Sequence, residues 1–401
     1  MGTLTLMSAT DQSRKFFSTA LVSVCLLFAL DACYSLARPQ GKEDRFQLDQ
    51  SDVLNVLKAY RSEPKAPDIA LLGSSLIEVP NIEAAAIAAN KPVDRLTHHR
   101  CDYLEKELTN QVGYKPTVVS LAVGGEMVSD AYLLSKRLLV GARAPRAIIY
   151  GIGPRDFQDN LMPGVDSSDT FKLLSSVDDL PDLLQSRQLS PETKLTLTME
   201  NLSGFWSNRT QLASFTNQSL ANTVTPFFPD MKRSLSEAPK KTDVRTFIAG
   251  MIAPGQAVWH PDDEYMLQNY LSRYNPIAPV QIETQLGYFQ RLIDLCKARK
   301  IPIMIANMPL GEINRKVMAP GFYEKYLADT QKICREQNVP YIDLNVAPLA
   351  SKENFLDTVH LNPTGSALMF SMMSNQIDPT VAVALHQADE AIASTKSSKT
   401  Y

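Results

Sequence analysis

Apolar positions along the chain fall into two alternating kinds of run. Short, mainly apolar stretches at 69–72, 117–123, 146–152, 301–306 and 340–344 are bounded by polar residues, glycine or proline. They predict strands buried on both faces. Longer stretches with apolar residues at helical spacing lie between and around them, at 53–60, 83–89, 97–108, 129–140, 282–299, 323–336 and 364–373. Strand, small-residue turn and helix follow one another, the signature of a parallel sheet with helices on its faces. The rhythm is lost from about 158 to 284, where Ser, Asp, Asn and Pro are frequent and only short helices are suggested. That region reads as a large, mostly irregular or helical insertion. Its most distinctive parts are Trp259-His260-Pro261-Asp262-Asp263-Glu264 and the stretch 270–276, residues suited either to a substrate cleft or to packing and solvated surface.

The N-terminus differs in kind. After Arg14-Lys15, residues 16–30 carry no charge, Asp31 interrupts, and small or apolar residues continue to Ala37. Cations before an apolar core predict an export signal or a signal anchor, with the following chain outside the cytoplasmic membrane. An uncleaved transmembrane anchor is the first reading, with Asp31 near an interface because the run is short for a span. Cleavage after Ser35-Leu36-Ala37 is the second, a lipoprotein at Leu30-Asp31-Ala32-Cys33 the third, and a buried N-terminal helix the remaining alternative. The expected organisation is therefore anchor and linker over 1–45, the first half of an α/β domain over 46–160, an insertion over 161–284, the second half over 285–378, and a disordered tail over 379–401. In that tail Ala, Ser and Lys increase and apolar periodicity fades.

Composition changes this picture little. A formal charge of −3 over 401 residues, with no basic stripe interleaved with aromatics, sets nucleic-acid binding aside. Five cysteines make no disulfide framework and have no metal-ligand spacing; a Cys296–Cys334 bridge stays undecided. His98-His99 invite a metal reading, but adjacent helical residues point about 100° apart, so a solvated helix start is preferred. No metal or organic cofactor is expected. The Gly124-Gly125 turn lacks the Gly-x-Gly-x-x-Gly spacing of a dinucleotide site.

The chemistry is concentrated at two ends of the chain. Leu71-Leu72-Gly73-Ser74-Ser75-Leu76 places a serine at the carboxyl end of the first strand, where open parallel sheets bind ligands. Near the end of the folded region, Asp357-Thr358-Val359-His360 carries an acid and an imidazole three residues apart. A serine hydroxyl needs a base to become a nucleophile, and the imidazole needs an orienting acid. Ser75 is thus the candidate nucleophile, His360 the base and Asp357 its partner. The backbone N–H of Ser75 and that of Gly124 or Gly125 are candidate oxyanion donors.

These residues resemble the SGNH hydrolase superfamily. Gly73-Ser74-Ser75-Leu76 is similar to its GDSL block with Ser74 in place of Asp, Gly125 falls at the oxyanion glycine of the second block, and Asp357-Thr358-Val359-His360 is similar to the final Asp-x-x-His block. In the third block, Gly153-Pro154-Arg155-Asp156 has Arg155 where the family has an oxyanion-binding Asn. The guanidinium then donates to an oxyanion, binds a carboxylate, or pairs with Asp156. The resemblance, over roughly 66–157 and 285–375, implies a flavodoxin-like three-layer sandwich. With the anchor, it is nearest to extracytoplasmic SGNH-like proteins: O-acetylation proteins, the D-alanyl transfer protein of Gram-positive envelopes, and uncharacterised cyanobacterial members. It implies a membrane-anchored serine esterase or O-acyltransferase on the periplasmic face, acting on an acylated polysaccharide or a small acyl ester. The alternative is a catalytically inactive envelope protein that binds polysaccharide or a partner.

Overall fold

The computed structural model describes residues 21–23, 25, 26, 28–33, 52–91, 93–95, 97–185, 189–207 and 264–385. The expectations for Arg14-Lys15, the linker at 38–50, Trp259 to Asp263 and the end of the tail lie outside these residues. The chain divides into two compact units, one of Met1–Leu48, Ser175–Gln185 and Leu189–Asp243, the other of Asp49–Leu174, Ser186–Gln188 and Val244–Tyr401.

The larger unit begins with α1 (Asp52–Ser62), β1 (Ile69–Leu72), α2 (Ser75–Ala89), α3 (Asp102–Val112), β2 (Val118–Ser120), α4 (Val128–Leu138), β3 (Ala147–Ile152) and α5 (Asp169–Leu174). The smaller unit contributes α6 (Leu180–Gln185), α7 (Pro191–Leu202) and α8 (Gly204–Ser207). The larger unit resumes with α9 (Glu264–Tyr274), α10 (Pro279–Ala298), β4 (Ile303–Asn307), α11 (Glu312–Lys316), α12 (Phe322–Glu336), β5 (Tyr341–Asp343) and α13 (Pro363–Asn375). The stretch 161–284 is thus shared between the two units.

All five strands are parallel in the order β2-β1-β3-β4-β5, the order of doubly wound sheets of flavodoxin type. Helices cover both faces, so β1 to β4 are buried throughout, which is why they stand out as continuous apolar runs. Alternate residues supply two layers. Ile69, Leu71, Ala147, Ile149, Met304 and Ala306 join one core with α2, α3 and α13. On the other face Tyr150 meets Phe289 of α10, and Phe157 meets both Phe289 and Tyr326 of α12. The side-chain amide oxygen of Gln285 in α10 accepts the Ser129 N–H at the start of α4 at 2.8 Å.

Three local expectations are corrected. Helix α2 starts at Ser75 rather than 83: Pro80 lies inside it, but Leu76 and Ile77 bury against the sheet and tertiary packing overrides the proline. Helix α3 starts at Asp102 rather than 97, because the preceding backbone is claimed by the sheet; Arg100 bridges Val119 and the Cys101 N–H donates to Val118 O. After Asp378 the chain is helical through Leu385, with Val381 and Leu385 fully buried.

In the smaller unit Ser190 caps α7 by accepting the Thr193 N–H, with Pro191 in the first turn. Residues 21–33 are helical wherever described, and Ser203 Oγ donates to Asp31 Oδ1 at 3.1 Å. Among the described residues no helix is long and apolar enough to cross a membrane.

Candidate active site

The first strand delivers Ser75 through a turn that requires glycine. Gly73 has φ +148°, and a Cβ there would stand 2.9 Å from Gly151 O and 2.8 Å from Ile77 Cγ1. Ser74 follows in extended geometry as the N-cap, and Ser75 is the first residue of α2. Its N–H is among those a helix start leaves without an intrahelical acceptor.

The segment 355–361 folds back on itself before α13. Phe355 bridges Leu361, and Leu356 N–H donates to His360 O at 2.7 Å. Asp357 Oδ1 accepts the N–H groups of Val359 and His360, both at 2.7 Å. Its Oδ2 lies 2.6 Å from His360 Nδ1, and His360 Nε2 lies 2.8 Å from Ser75 Oγ. With the imidazole proton on Nδ1, facing the carboxylate, Nε2 accepts the Ser75 hydroxyl. Burial pushes the Asp357 carboxyl up, but the His360 imidazole and the two amides outweigh it and hold it below the usual range. The neighbouring loop supports this turn: Gly311 N–H donates to Thr358 O at 3.2 Å, and Asn314 Nδ2 reaches Thr358 Oγ1 at 3.3 Å.

Gly124 and Gly125 follow β2 beside the start of α2. Val123 N–H donates to Gly73 O at 3.0 Å, tying this turn to the Ser75 turn. Gly125 has φ +82°, and its missing Cβ would lie 3.6 Å from Arg155 Nη2. A Cβ on Gly124 would lie 3.0 Å from Glu78 Oε2. Among the described residues neither glycine N–H is engaged in a hydrogen bond.

Arg155 takes the carboxylate option left open by the sequence, and the carboxylate is that of Asp159. Its Nε and Nη2 donate to Asp159 Oδ2 at 2.9 and 2.7 Å, and Nη1 donates to Glu126 O at 3.2 Å. Arg273 of α9 shares the same Asp159 oxygen, while the Gln158 amide donates to Tyr274 O and Pro276 O. Helix α9 is thereby fastened to the loop after β3. Tyr270, Tyr274 and Arg155 line the cleft at Ser75 with Leu76, Leu310 and Val359. Its volume of about 10 Å³ is that of roughly one water. A larger apolar cavity of about 410 Å³ lies against Phe157, Phe322 and Tyr326.

Several of these residues escaped sequence reasoning. Asp159 and Arg273 pair across the whole insertion, and only the density of polar residues in Arg155-Asp156-Phe157-Gln158-Asp159-Asn160 directly after a strand hinted at a site. Tyr270 and Tyr274 were read equally as packing, and both are buried. Acidic groups surround the centre. Burial pushes Asp156 up to about 6 against the pull of Arg155, and it raises Glu78 despite the Arg95 ion pair at 2.5 Å. His98 and His99 lie before α3, with His98 Nε2 3.8 Å from Asp102 Oδ2. No group of three or more His, Cys, Asp or Glu among the described residues could hold a metal ion. Cys296 and Cys334 are free, buried thiols.

Fold and site define an α/β protein with a Ser–His–Asp constellation at the carboxyl edge of a parallel sheet. A family model for an uncharacterised domain matches residues 279–382, and no curated protein matches the chain. Among solved structures, a crystal structure of a "putative acylhydrolase" from Bacteroides fragilis NCTC 9343 is similar, with 11% identity and a TM-score of 0.33. The match covers 82% of this chain and 94% of that one. So loose a superposition carries no statement about the site.

Proposed function

We propose that this protein is an SGNH-type serine esterase or O-acyltransferase that works through an acyl ester on Ser75. The observation that carries the reading is the continuous chain Ser75 Oγ, His360 Nε2, His360 Nδ1, Asp357 Oδ2, with links of 2.8 and 2.6 Å. As Ser75 Oγ attacks the acyl carbonyl, its proton passes to His360 Nε2, and Asp357 stabilises the imidazolium. The oxyanion is met by the N–H of Ser75 and of the Gly124–Gly125 turn, with the Arg155 guanidinium as a nearby positive charge. Collapse expels the alkoxide, which takes the proton from His360. A water or a glycan hydroxyl then repeats the sequence in reverse to release or transfer the acyl group.

The proposed substrate is an acylated envelope or extracellular glycan, or a small acyl ester. The proposed setting is the outer face of the cytoplasmic membrane, with the N-terminal segment as anchor. Two features support that setting: the charge-free run 16–30, and the exposure of Leu21, Val22, Leu26, Phe28 and Leu30. The test is treatment with a fluorophosphonate and mapping of the adduct by mass spectrometry. An adduct on Ser75 that is absent in His360→Ala is expected. No adduct on the folded protein would instead favour an SGNH-like polysaccharide- or partner-binding protein, a reading supported by the commitment of Arg155 to Asp159 in the place of an oxyanion Asn.

A further inference from the structure

Glu126 follows the glycine pair, and none of the steps above uses its side chain. It is 2% exposed, yet it holds the turn from several directions. Its own N–H donates to Val123 O at 3.0 Å, and its Oε2 accepts the Val123 N–H at 3.2 Å, sharing that amide with Gly73 O. Its carbonyl oxygen accepts Arg155 Nη1 at 3.2 Å. The peptide groups of Gly124 and Gly125 are therefore spanned by one residue that closes the turn through main chain and side chain together. Oε1 has no hydrogen-bond partner among the described residues, so the side chain is buried with half its polar capacity unused. A carboxylate kept in such a place needs a reason beyond packing.

We propose that Glu126 is a positioning residue that holds the amides of Gly124 and Gly125 beside Ser75. The inference rests on the acyl-serine reading, since its purpose is to keep oxyanion donors in place. The groups facing Glu126 are Asp130 from α4, Asp156 from the turn after β3, Glu78 from α2, and the Arg155 guanidinium at its carbonyl. Burial first, then Asp130 and Asp156, push its carboxyl well above the usual range. Such a place favours the protonated form of Glu126, in which Oε2, the acceptor of the Val123 N–H, is the carbonyl oxygen. Ionisation would set a further negative charge among three carboxyl groups and strain the turn. A merely space-filling glutamate would have no such dependence on its proton.

An isosteric amide separates these roles, because glutamine offers the same acceptor to Val123 without a titratable proton. The experiment measures the rate of fluorophosphonate labelling of Ser75 against pH in the full chain for wild type, Glu126→Gln and Glu126→Ala. Glu126→Gln is expected to label within about threefold of wild type at neutral pH and to keep its rate at alkaline pH, where wild type falls. Glu126→Ala is expected to lose on the order of 10²-fold, the size of one oxyanion donor. Equal rates for Ala and Gln, or a wild-type rate that holds up to the pH of unfolding, would overturn the role of Glu126 while leaving the acyl-serine reading intact. Absence of any wild-type label would overturn both. If Glu126→Ala does not fold, the pH profiles of wild type and Glu126→Gln decide alone.

Discussion

At the scale of single residues, His360 stands between a buried carboxylate and a serine. Asp357→Asn keeps the shape of the turn but removes the acceptor that keeps the imidazole proton on Nδ1. Esterase or labelling rates should fall by about 10³–10⁴-fold, the contribution such orienting carboxylates make. A fall of less than tenfold would mean that His360 is held by the turn alone. The folded-state pKa of Asp357 is depressed, so its contribution to stability is present above the unfolded value and is lost as pH falls through the folded one. Asp357→Asn should therefore flatten the acid side of the stability profile, which urea midpoints measured from neutral pH downward can follow. Arg155 raises a different question, because Asp159 is fully buried and receives both Arg155 and Arg273. Replacing Arg155 by Asn leaves that carboxylate half-compensated, a change that costs about 3–5 kcal/mol when a buried pair is broken. Adding Asp159→Asn should restore much of the loss, and thermal melts of the single and double variants measure this.

At the scale of elements, helix α2 carries Ser75, and its seat on the sheet depends on absent side chains. A Cβ on Gly151 would fall 2.6 Å from Ile77 Cγ1 and 2.8 Å from Met308 Sδ. Gly151→Ala should cost about 1–3 kcal/mol by overpacking and lower activity by lifting Ser75 from His360; an unchanged melting temperature would show that α2 shifts freely. The same helix buries Glu83, whose carboxyl burial pushes up to about 7. A folded-state pKa above the unfolded one means stability that is present at low pH and lost as pH rises through about 7. Glu83→Gln should therefore gain on wild type between about pH 4.5 and 7, as melts across that range can test. The strands and the long helices were legible because burial on both faces, or on one stripe, is written directly in residue order. The start of α2 was not, because Pro80 argues against a helix that only the sheet beneath it stabilises. The two short motifs at Ser75 and His360 were legible as chemistry. The Arg155–Asp159–Arg273 cluster was not, since its members are joined by folding and not by spacing. Glu126 was missed because a glutamate after two glycines has no pattern to mark it.

At the scale of the molecule, the smaller unit has an unusual surface for a part of a water-soluble protein. Leu21, Val22, Leu26, Phe28 and Leu30 are all at least half exposed. On α7, Leu195 and Leu202 stand 63% and 58% exposed, seven residues apart and so on one face. Trp206 follows at 40%, and tryptophan is the residue that favours the boundary between lipid and water. Asp31, the one charge that interrupts the apolar run, accepts a hydrogen bond from Ser203, which binds the run to the segment between α7 and α8 within this unit. Under the membrane setting proposed above, these side chains are the surface that would meet the bilayer. The chain has two tryptophans, so Trp259→Phe leaves Trp206 as the sole indole reporter. Added to phospholipid vesicles, that full-length variant should shift its emission to the blue and become shielded from aqueous quenchers. Leu195→Glu with Leu202→Glu should weaken the shift without changing the labelling of Ser75. An emission maximum that ignores vesicles would rule out membrane contact through this surface.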